Sequence, residues 1–486
     1  MTRSVSVLAL AASGLLAGCN LAPTYVRPAG AVAPALPSGG TYPMAPAGEA
    51  DVSRIGWREF FTDPRLRDAV SRGLENNRDL RIAAANVLQA RERYRVQRAE
   101  RVPTTALNGS ATYTNNPLGA AGAAGPGGAA AGGAGAGLGG TTGSNLEFYS
   151  VNAGFSAFEL DLFGRVRNLS DAALQQFFAT QEAQRAARIS LIAEIANAWL
   201  TLASDQDQLR LSRETLKAFE QTLELTRAQF RIGVASELEA KQAETNYQSA
   251  RNDIATAQTR IAQDQNALNL LVGTTVAAPL LPAGLGTGEA TREALPGNVT
   301  SAVLLRRPDV LEAEHQLIAQ NANIGAARAA FFPTISLTAT LGTISTALSG
   351  LFGSGSGTYT GSPGISLPLF DGGRNKGNLD YARAAQQGAV ATYERTIQVA
   401  FREVADALAA RGTIDEQVAA QTARAAAAST AARLSDARYR AGVDSFLVAL
   451  DAQRTAYAAQ QQLVTTRLSR GSNLIEVYRS LGGGLE

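Results

Sequence analysis

The chain has 486 residues, of which 45% are hydrophobic, 18% charged and only 6% aromatic. Lysine and arginine together number 44 against 42 acidic residues, which excludes the concentrated basic charge typical of nucleic-acid binders. The single cysteine and the single histidine exclude most metal and thiol chemistry. No catalytic triad, nucleotide-binding loop or pair of catalytic carboxylates stands out, so we expect neither an enzyme nor a bound cofactor.

The first 18 residues have the pattern of a secretory signal, with Arg3 followed by an apolar stretch from Val5 to Ala17. That stretch is too short to span a membrane as a helix. Leu16-Ala17-Gly18-Cys19 resembles the processing site of bacterial lipoproteins, which implies cleavage before Cys19 and attachment of lipid, including palmitate, to that residue. Asn20 permits sorting to the outer membrane in such lipoproteins, and residues 19–54 would form an anchored extension.

The remaining sequence repeats itself. Arg231-Ile-Gly-Val-Ala-Ser236 recurs as Arg440-Ala-Gly-Val-Asp-Ser445 at an offset of 209 residues, whereas Pro103-Thr104 recurs as Pro333-Thr334 at an offset of 230. The difference falls in a Gly/Ala-rich tract, residues 116–145, which we interpret as a loop inserted in the first copy. The two copies are predicted to span residues 55–290 and 291–486.

Each copy is predicted to contain a helix, two short strands, and two long helices joined by a sharp turn. Strands are expected near 103–115, 147–161, 333–345 and 362–370, and long helices at 165–232, 234–272, 374–441 and 443–481. In the first long helix, apolar residues from Ile195 to Phe230 fall seven apart, as they do in coiled coils. The positions beside them are mostly small or polar, so no wide buried face is expected.

The strands alternate apolar and polar residues, as in Thr334-Ile-Ser-Leu-Thr-Ala-Thr-Leu341. This pattern fits a half-buried soluble sheet and also a membrane-crossing barrel. Four strands cannot close a barrel, and open sheet edges are not tolerated in lipid. Either helices cap the sheet or several chains share one barrel, and the predicted export signal favours the shared barrel. Two chains with eight strands would close it, as would three with twelve.

Four parts of the sequence resemble outer-membrane efflux proteins of the TolC and OprM type, in their NodT-like lipoprotein branch. They are Trp57-Arg-Glu-Phe-Phe-Thr-Asp-Pro64, the pair Glu159-Leu-Asp-Leu-Phe-Gly-Arg165 and Leu369-Phe-Asp-Gly-Gly-Arg374, the segment from Arg306-Arg-Pro-Asp-Val310 to Pro333-Thr334, and the segment from Tyr439 to Arg454. The resemblance implies a mixed α and β fold in which a homotrimer forms a 12-stranded transmembrane β-barrel, four strands per chain. A long periplasmic α-helical barrel would continue it.

The resemblance also implies the function, which is a passive exit duct in the outer membrane of a Gram-negative bacterium. The duct would belong to a tripartite pump that exports toxic compounds or drugs and so contributes to antibiotic resistance. Its partners would be a periplasmic adaptor protein, an inner-membrane transporter of the resistance–nodulation–division class and outer-membrane lipid. Two alternatives stay open: the duct of a type I protein secretion system, and a lipid-anchored coiled-coil structural protein without a channel.

The two sharp turns are the first candidate functional residues. Gly233 and Gly442 permit positive φ at a helix end, and Ser236 and Ser445 can cap the helices that follow. The resemblance implies that both turns contact the adaptor protein. The residues concerned are Arg231, Gly233, Val234 and Ser236 in the first turn, and Arg440, Gly442, Val443 and Ser445 in the second.

A periplasmic gate is the second candidate site. Leu447, Asp451 and Arg454 are spaced i, i+4 and i+7, which puts them on one face of a helix. In family members, residues of these types at matching positions close the periplasmic mouth through contacts between chains. The alternative is an ordinary solvated Asp–Arg pair. The first copy has Leu238, Gln242 and Thr245 at these positions, which suits a gate carried by the second copy.

Glu312 and His315 have the Glu-x-x-His spacing found in some di-iron bundles. Such a site needs the motif twice with further carboxylates, and this sequence has it once. We therefore predict a surface histidine and no metal site.

Overall fold

The computed structural model describes residues 20–30, 32–43, 55–114, 146–286, 290–292 and 301–483. The predicted signal segment, Cys19, much of the anchored extension and the Gly/Ala-rich loop lie outside these described residues. The chain forms two compact units. The first contains the described residues within Gln89–Phe178 and His315–Val390 together with residues 20–27, and the second contains the other described residues.

Eight α-helices and four strands follow one another along the described residues. The helices are α1 (Trp57–Phe60), α2 (Pro64–Asn76), α3 (Arg78–Ala99), α4 (Arg165–Arg231), α5 (Glu237–Val272), α6 (Pro308–Ala329), α7 (Arg374–Arg440) and α8 (Phe446–Ser480). The strands are β1 (Ala106–Thr114), β2 (Leu146–Leu160), β3 (Thr334–Ser345) and β4 (Gly357–Ser366). The long helices α4 and α7 each have 67 residues, and α3 and α6 each have 22.

The four strands form one antiparallel sheet in the order β1-β2-β3-β4. Residues directly opposite each other lie on the same face, so the register assigns each side chain to a face. One face is apolar and carries Leu107, Ala111, Val151, Phe155, Phe158, Leu160, Ile335, Leu337, Leu341, Tyr359 and Ile365. The other carries Phe148 and Ile344 but otherwise mostly short polar side chains: Asn108, Ser110, Ser150, Asn152, Ser336, Thr338, Thr340, Thr360 and Ser362.

A bulge preserves this separation of faces along β2. Phe155 lies opposite Ala339 and Phe158 lies opposite Leu337, so β2 has one more residue than β3 at this point. Ala157 takes a positive φ of 51°, and its backbone N–H donates to the Thr338 hydroxyl at 3.0 Å. Because of the extra residue, both Phe155 and Phe158 lie on the apolar face.

The fourth strand lies earlier in the chain than the sequence pattern suggested. It spans Gly357–Ser366 rather than residues 362–370, and Leu367, Leu369 and Phe370 are exposed beyond its end. Its first half, Gly-Thr-Tyr-Thr-Gly, has little hydrophobic signal. Backbone pairing with β3 forms the strand there, from Gly357 opposite Thr343 onward.

Aromatic side chains pack in the core of the second unit, where the N-terminal residues meet the end of α8. The Phe60 ring stacks on Tyr478 with the two centroids 4.0 Å apart, and the Tyr478 hydroxyl donates to the Ile55 carbonyl oxygen at 2.6 Å. Asp63 caps α2 by accepting from the Arg65 backbone N–H at 2.7 Å, and Pro64 occupies the first turn. The Tyr478 contacts hold α1 against the end of α8, and the cap fixes the start of α2.

The middle of α4 is buried more widely than the heptad pattern predicted. Ile195, Leu202, Leu209 and Leu223 of the heptad are buried, but so is most of the segment 189–203 around them. Several neighbours cover it: Ile195 lies against Gly73 of α2, Leu200 lies against Gly471 of α8, and the Leu280 carbonyl accepts from the Trp199 indole at 3.1 Å. Among the described helices, α4 alone is long and apolar enough to span a membrane, and over half of that apolar window is buried within the protein.

His315 is half-buried, so the prediction of a surface histidine is wrong. Its Nδ1 lies 2.7 Å from the Gln175 side-chain oxygen, and its ring centroid is 5.4 Å from that of Phe178. In the described part of the chain, no cluster of three or more His, Cys, Asp or Glu side chains is arranged to hold a metal ion. The ring has a packing role against α4.

Candidate functional site

The first hairpin turn joins α4 to α5 through a left-handed glycine. Gly233 has a φ of 76°, and its N–H donates to the Phe230 carbonyl at 3.0 Å while the Val234 N–H donates to the Gln229 carbonyl at 2.9 Å. This pair of bonds is a Schellman motif, which satisfies the last carbonyl groups of a helix. Glycine is required here because a side chain would strain the positive φ.

The next helix begins with a capping box. The Ser236 hydroxyl accepts from the Glu239 backbone N–H at 3.2 Å, and the Glu239 carboxylate accepts from the Ser236 N–H at 2.7 Å. These two N–H groups at the start of α5, which have no carbonyl partner within the helix, are thereby satisfied. The helix begins at Glu237 rather than at residue 234, because Val234 and Ser236 form the turn.

The second turn repeats the Schellman motif and differs in its cap. Gly442 has a φ of 75°, and the Val443 N–H donates to the Arg438 carbonyl at 2.9 Å. Ser445 occupies the N-cap position of α8, but its side chain makes no capping bond, so that prediction is wrong for the second copy. A bidentate ion pair between Arg438 and Asp444, at 2.6 and 2.8 Å, braces this turn instead.

The two serines form a matched pair for a stability test. We expect Ser236→Ala to lose about 1 kcal/mol of local stability, so that amides in the first turn of α5 exchange with solvent about five times faster. Ser445→Ala should leave the first turn of α8 unchanged because no side-chain cap is lost there. Amide hydrogen exchange read by mass spectrometry measures both. Equal effects at the two turns would contradict the difference in capping.

Both turns expose apolar side chains. Val234 is 71% exposed and Val443 62% exposed, and Leu238 and Leu447 at the start of the following helices are also open to solvent. Exposed apolar residues grouped at one place mark an interaction surface. In the described part of the chain, no element covers these side chains.

The two hairpins pack against each other just above the turns. The core of this contact consists of Leu223 on α4, Ala243 on α5, and Phe446 and Leu450 on α8. The Tyr439 hydroxyl on α7 donates to the Gln229 side-chain oxygen on α4 at 2.6 Å. One apolar cluster therefore fixes all four helix ends with respect to one another.

The three candidate gate residues lie together on one exposed face of α8. Leu447, Asp451 and Arg454 are all exposed, whereas Ala449 and Ala456 on the opposite face are buried. Within the described residues of the single chain, Asp451 and Arg454 form no ion pair, either with each other or with another residue. The solvated Asp–Arg pair considered as the alternative is therefore not formed, and both charges are available to another molecule.

A carboxyl pair between α4 and α5 was missed by the sequence reasoning. The pKa of Asp264 on α5 is raised to about 6, chiefly because burial disfavours its charged form and next because the Asp205 carboxylate on α4 lies beside it. The Arg260 guanidinium acts in the opposite direction. The two aspartates are 59 positions apart in the sequence, so only the long-hairpin geometry brings them together.

This carboxyl pair gives the hairpin a pH dependence. The folded protein binds a proton between pH 3.8 and about 6 that the unfolded chain releases, so the stability from this group falls as pH rises through that window. We expect Asp264→Asn to raise the melting temperature at pH 7 and to flatten its dependence on pH. Thermal melting followed by circular dichroism measures this. Asp406→Asn, at a carboxylate that is 77% exposed, is the control and should change neither quantity.

Known proteins of one family are similar to this chain along nearly its whole length. Residues 69–274 and 299–483 match the family described as outer membrane efflux protein. The toluene efflux pump outer membrane protein TtgC of Pseudomonas putida is 42% identical over 485 residues, covering 100% of this chain and 96% of that protein. The cation efflux system protein CusC of Escherichia coli is 39% identical over 474 residues, covering 96% and 97%.

A solved structure of the same kind superimposes on the whole fold. It is the open state of the Neisseria gonorrhoeae MtrE outer membrane channel, with a TM-score of 0.84 and 36% sequence identity. The alignment covers 96% of this chain and 99% of that one. The likeness therefore extends over the sheet, the long hairpins and both turns.

Proposed function

The chain belongs to the outer membrane efflux protein family, and from that membership we propose that three copies of it form one closed exit duct. The protein is the outer-membrane channel component of an efflux pump of a Gram-negative bacterium, with a long periplasmic portion, and it passes toxic compounds out of the cell. The proposal concerns how the duct is built, which partners it meets and where it closes. It includes no catalytic step and no cofactor.

The open sheet is the observation that carries the proposal. Its apolar face suits lipid and its hydroxyl-rich face suits a water-filled channel, but among the described residues β1 and β4 each have one unpaired edge. Unpaired backbone groups cost several kcal/mol each in lipid, so other chains must pair with both edges. Three chains supply twelve strands, the number that the family resemblance implies.

Helix α3 supports an assembly of several chains as well. It has 22 residues, none of them buried within the single chain, and its apolar Ile82, Leu88 and Val96 are more than half exposed. A helix with exposed apolar residues along its length needs a partner surface. A neighbouring copy in a helical barrel would provide one.

The residues after Cys19 support a lipid anchor at the membrane end of the chain. The Leu21 carbonyl accepts from the Arg328 guanidinium at 3.0 Å, and the Pro23 carbonyl accepts from the Asn321 side chain at 2.6 Å. Arg328 lies six residues before β3 begins. Lipid on Cys19 would therefore lie close to the sheet, where it could enter the same membrane.

The two hairpin turns and the exposed face of α8 have the remaining roles in this proposal, which are contact with the adaptor and closure of the duct. The exposed apolar tips around Val234 and Val443 would contact a periplasmic adaptor protein, which connects the duct to an inner-membrane transporter of the resistance–nodulation–division class. Leu447, Asp451 and Arg454 would close the periplasmic mouth. Their exposure and the absence of an ion pair within the described part of one chain support contacts between chains.

Accumulation of a fluorescent pump substrate in energised cells tests the function. We expect a deletion of this gene to raise accumulation and the intact gene to restore the low level. Accumulation in cells carrying Cys19→Ala tests in the same way whether export needs the lipid anchor. Unchanged accumulation in the deletion would instead favour a type I secretion duct, and the secreted proteins of the two strains would then be compared.

A further inference from the structure

A cavity of about 610 Å³ lies away from the tips and the gate, between the N-terminal helices and the middle of α4. Four arginines line it, Arg58, Arg81, Arg185 and Arg188, against one glutamate, Glu75. Arginine guanidinium groups suit carboxylates and phosphates because their donors match the geometry of these oxyanions. The charge of the lining therefore favours an anion.

Most of this positive charge is not neutralised within the chain. Arg185 pairs with Glu182 at 2.6 Å, and Arg81 donates only to the Glu75 backbone carbonyl at 3.4 Å. Among the described residues, Arg58, Arg81 and Arg188 form no ion pair with a carboxylate. Three of the four arginines are thus available to a ligand.

Two buried donors of the lining residues lack an acceptor. Trp57 is only 1% exposed, and its indole Nε1 has no hydrogen-bond partner among the described residues. The Arg188 Nε is likewise buried without one. Buried donors are nearly always paired in folded proteins, so these two call for an acceptor that the described part of the chain does not supply.

Apart from Ser71 and Gln184, the rest of the lining is apolar. Leu74, Leu80 and Ala84 border the cavity together with the Trp57 ring, over which the Arg58 guanidinium lies 4.5 Å from the centroid. We propose that this cavity binds an anionic amphiphile, with a carboxylate or phosphate-ester head group on the arginines and its apolar part against Leu74 and Leu80. The volume is within the range of small-molecule sites. The proposal does not depend on the duct proposed above.

Titration calorimetry on the full-length protein in a neutral detergent tests this proposal. Decanoate and dihexanoyl phosphatidylglycerol are the two probes and distinguish a free carboxylate from a lipid head group. We expect at least one to bind saturably, with one site per chain, whereas dihexanoyl phosphatidylcholine should bind at least about tenfold more weakly because its head group has no net charge. Absence of saturable binding by both anions, or equal binding of the phosphatidylcholine, would overturn the proposal.

Substitutions locate the binding in this cavity. We expect Arg81→Gln and Arg188→Gln each to weaken binding about tenfold, since each removes a charge-assisted hydrogen bond. Arg467→Gln, at an exposed arginine of α8 outside the cavity, is the matched control and should leave binding unchanged. Binding that survives the double substitution at Arg81 and Arg188 would rule the cavity out.

Tryptophan fluorescence gives a readout that leaves the cavity intact. The chain has two tryptophans, so Trp199→Phe makes Trp57 the only reporter. We expect its emission to shift as the bound probe accepts from the indole N–H, with the same concentration dependence as the calorimetric signal. An emission that stays constant through saturation would contradict a ligand next to Trp57.

Discussion

Replacing both Asp451 and Arg454 with alanine should raise the single-channel conductance of the protein in planar lipid bilayers several-fold. The two charges and Leu447 lie on one exposed face of α8, and within the described residues of one chain neither charge has an ionic partner. In a three-fold assembly they would meet their copies near the axis, where ion pairs between chains narrow the opening and three aspartates favour cations. Removing them should widen the mouth and weaken the preference for cations.

The first copy supplies the control for this experiment. Gln242 and Thr245 stand where Asp451 and Arg454 stand in the second copy, so alanine at both removes no charge and should change conductance little. High salt should raise the conductance of the unsubstituted protein toward that of the double variant, because ions screen exposed charge pairs. Unchanged conductance after both charges are removed would take these residues out of the gate.

The sequence predicted the structure best where the backbone conformation requires a particular residue type and the side-chain pattern agrees with it. Gly233 and Gly442 were expected at positive φ because a helix that reverses over so few residues needs a left-handed residue, and both have it. Helices α4 and α7 begin at Arg165 and Arg374, the positions where the glycine-marked junctions predicted them. In β3 the apolar residues from Ile335 to Leu341 share one face, as period-two patterning requires.

Prediction failed where pairing with another strand or a competing local contact decides the structure. Strand β4 begins at Gly357 because its backbone pairs with β3, although the side chains of its first half give little hydrophobic signal. Ser445 has the residue type of a cap, yet the ion pair between Arg438 and Asp444 stabilises that turn. A single sequence does not reveal which of two competing local interactions is formed.

Of the candidate sites, one could likewise be predicted from the sequence and two could not. The i, i+4, i+7 spacing was enough to place Leu447, Asp451 and Arg454 on one face, because helix geometry fixes that relation. The carboxyl pair of Asp205 and Asp264 and the arginine-lined cavity around Trp57 each bring together residues from separate helices. No pattern along the chain encodes such neighbours, so only the fold reveals them.

Arginine substitutions at two adjacent positions of β3 should distinguish the face of the sheet that meets lipid from the face that meets the channel. Leu341 is 68% exposed on the apolar face, opposite Ala153 and Tyr359, whereas Thr340 is on the polar face opposite Gly154 and Thr360. An arginine facing lipid near the bilayer midplane costs about 2–4 kcal/mol, and an assembly of three chains would incur that cost three times. Leu341→Arg should therefore nearly abolish the assembled trimer in outer-membrane fractions.

Thr340→Arg is the matched control, because it adds the same side chain one residue away. On a water-filled channel face the guanidinium stays hydrated, so the trimer should form at its normal level while anion permeation increases. Unheated gel electrophoresis of outer-membrane fractions measures assembly, and bilayer recording measures permeation. If helices covered the sheet in a protein without a channel, neither face would meet lipid and no current would flow through either variant. Loss of assembly at Leu341 alone, with a conducting Thr340→Arg trimer, is the pattern that only a lipid-facing barrel predicts.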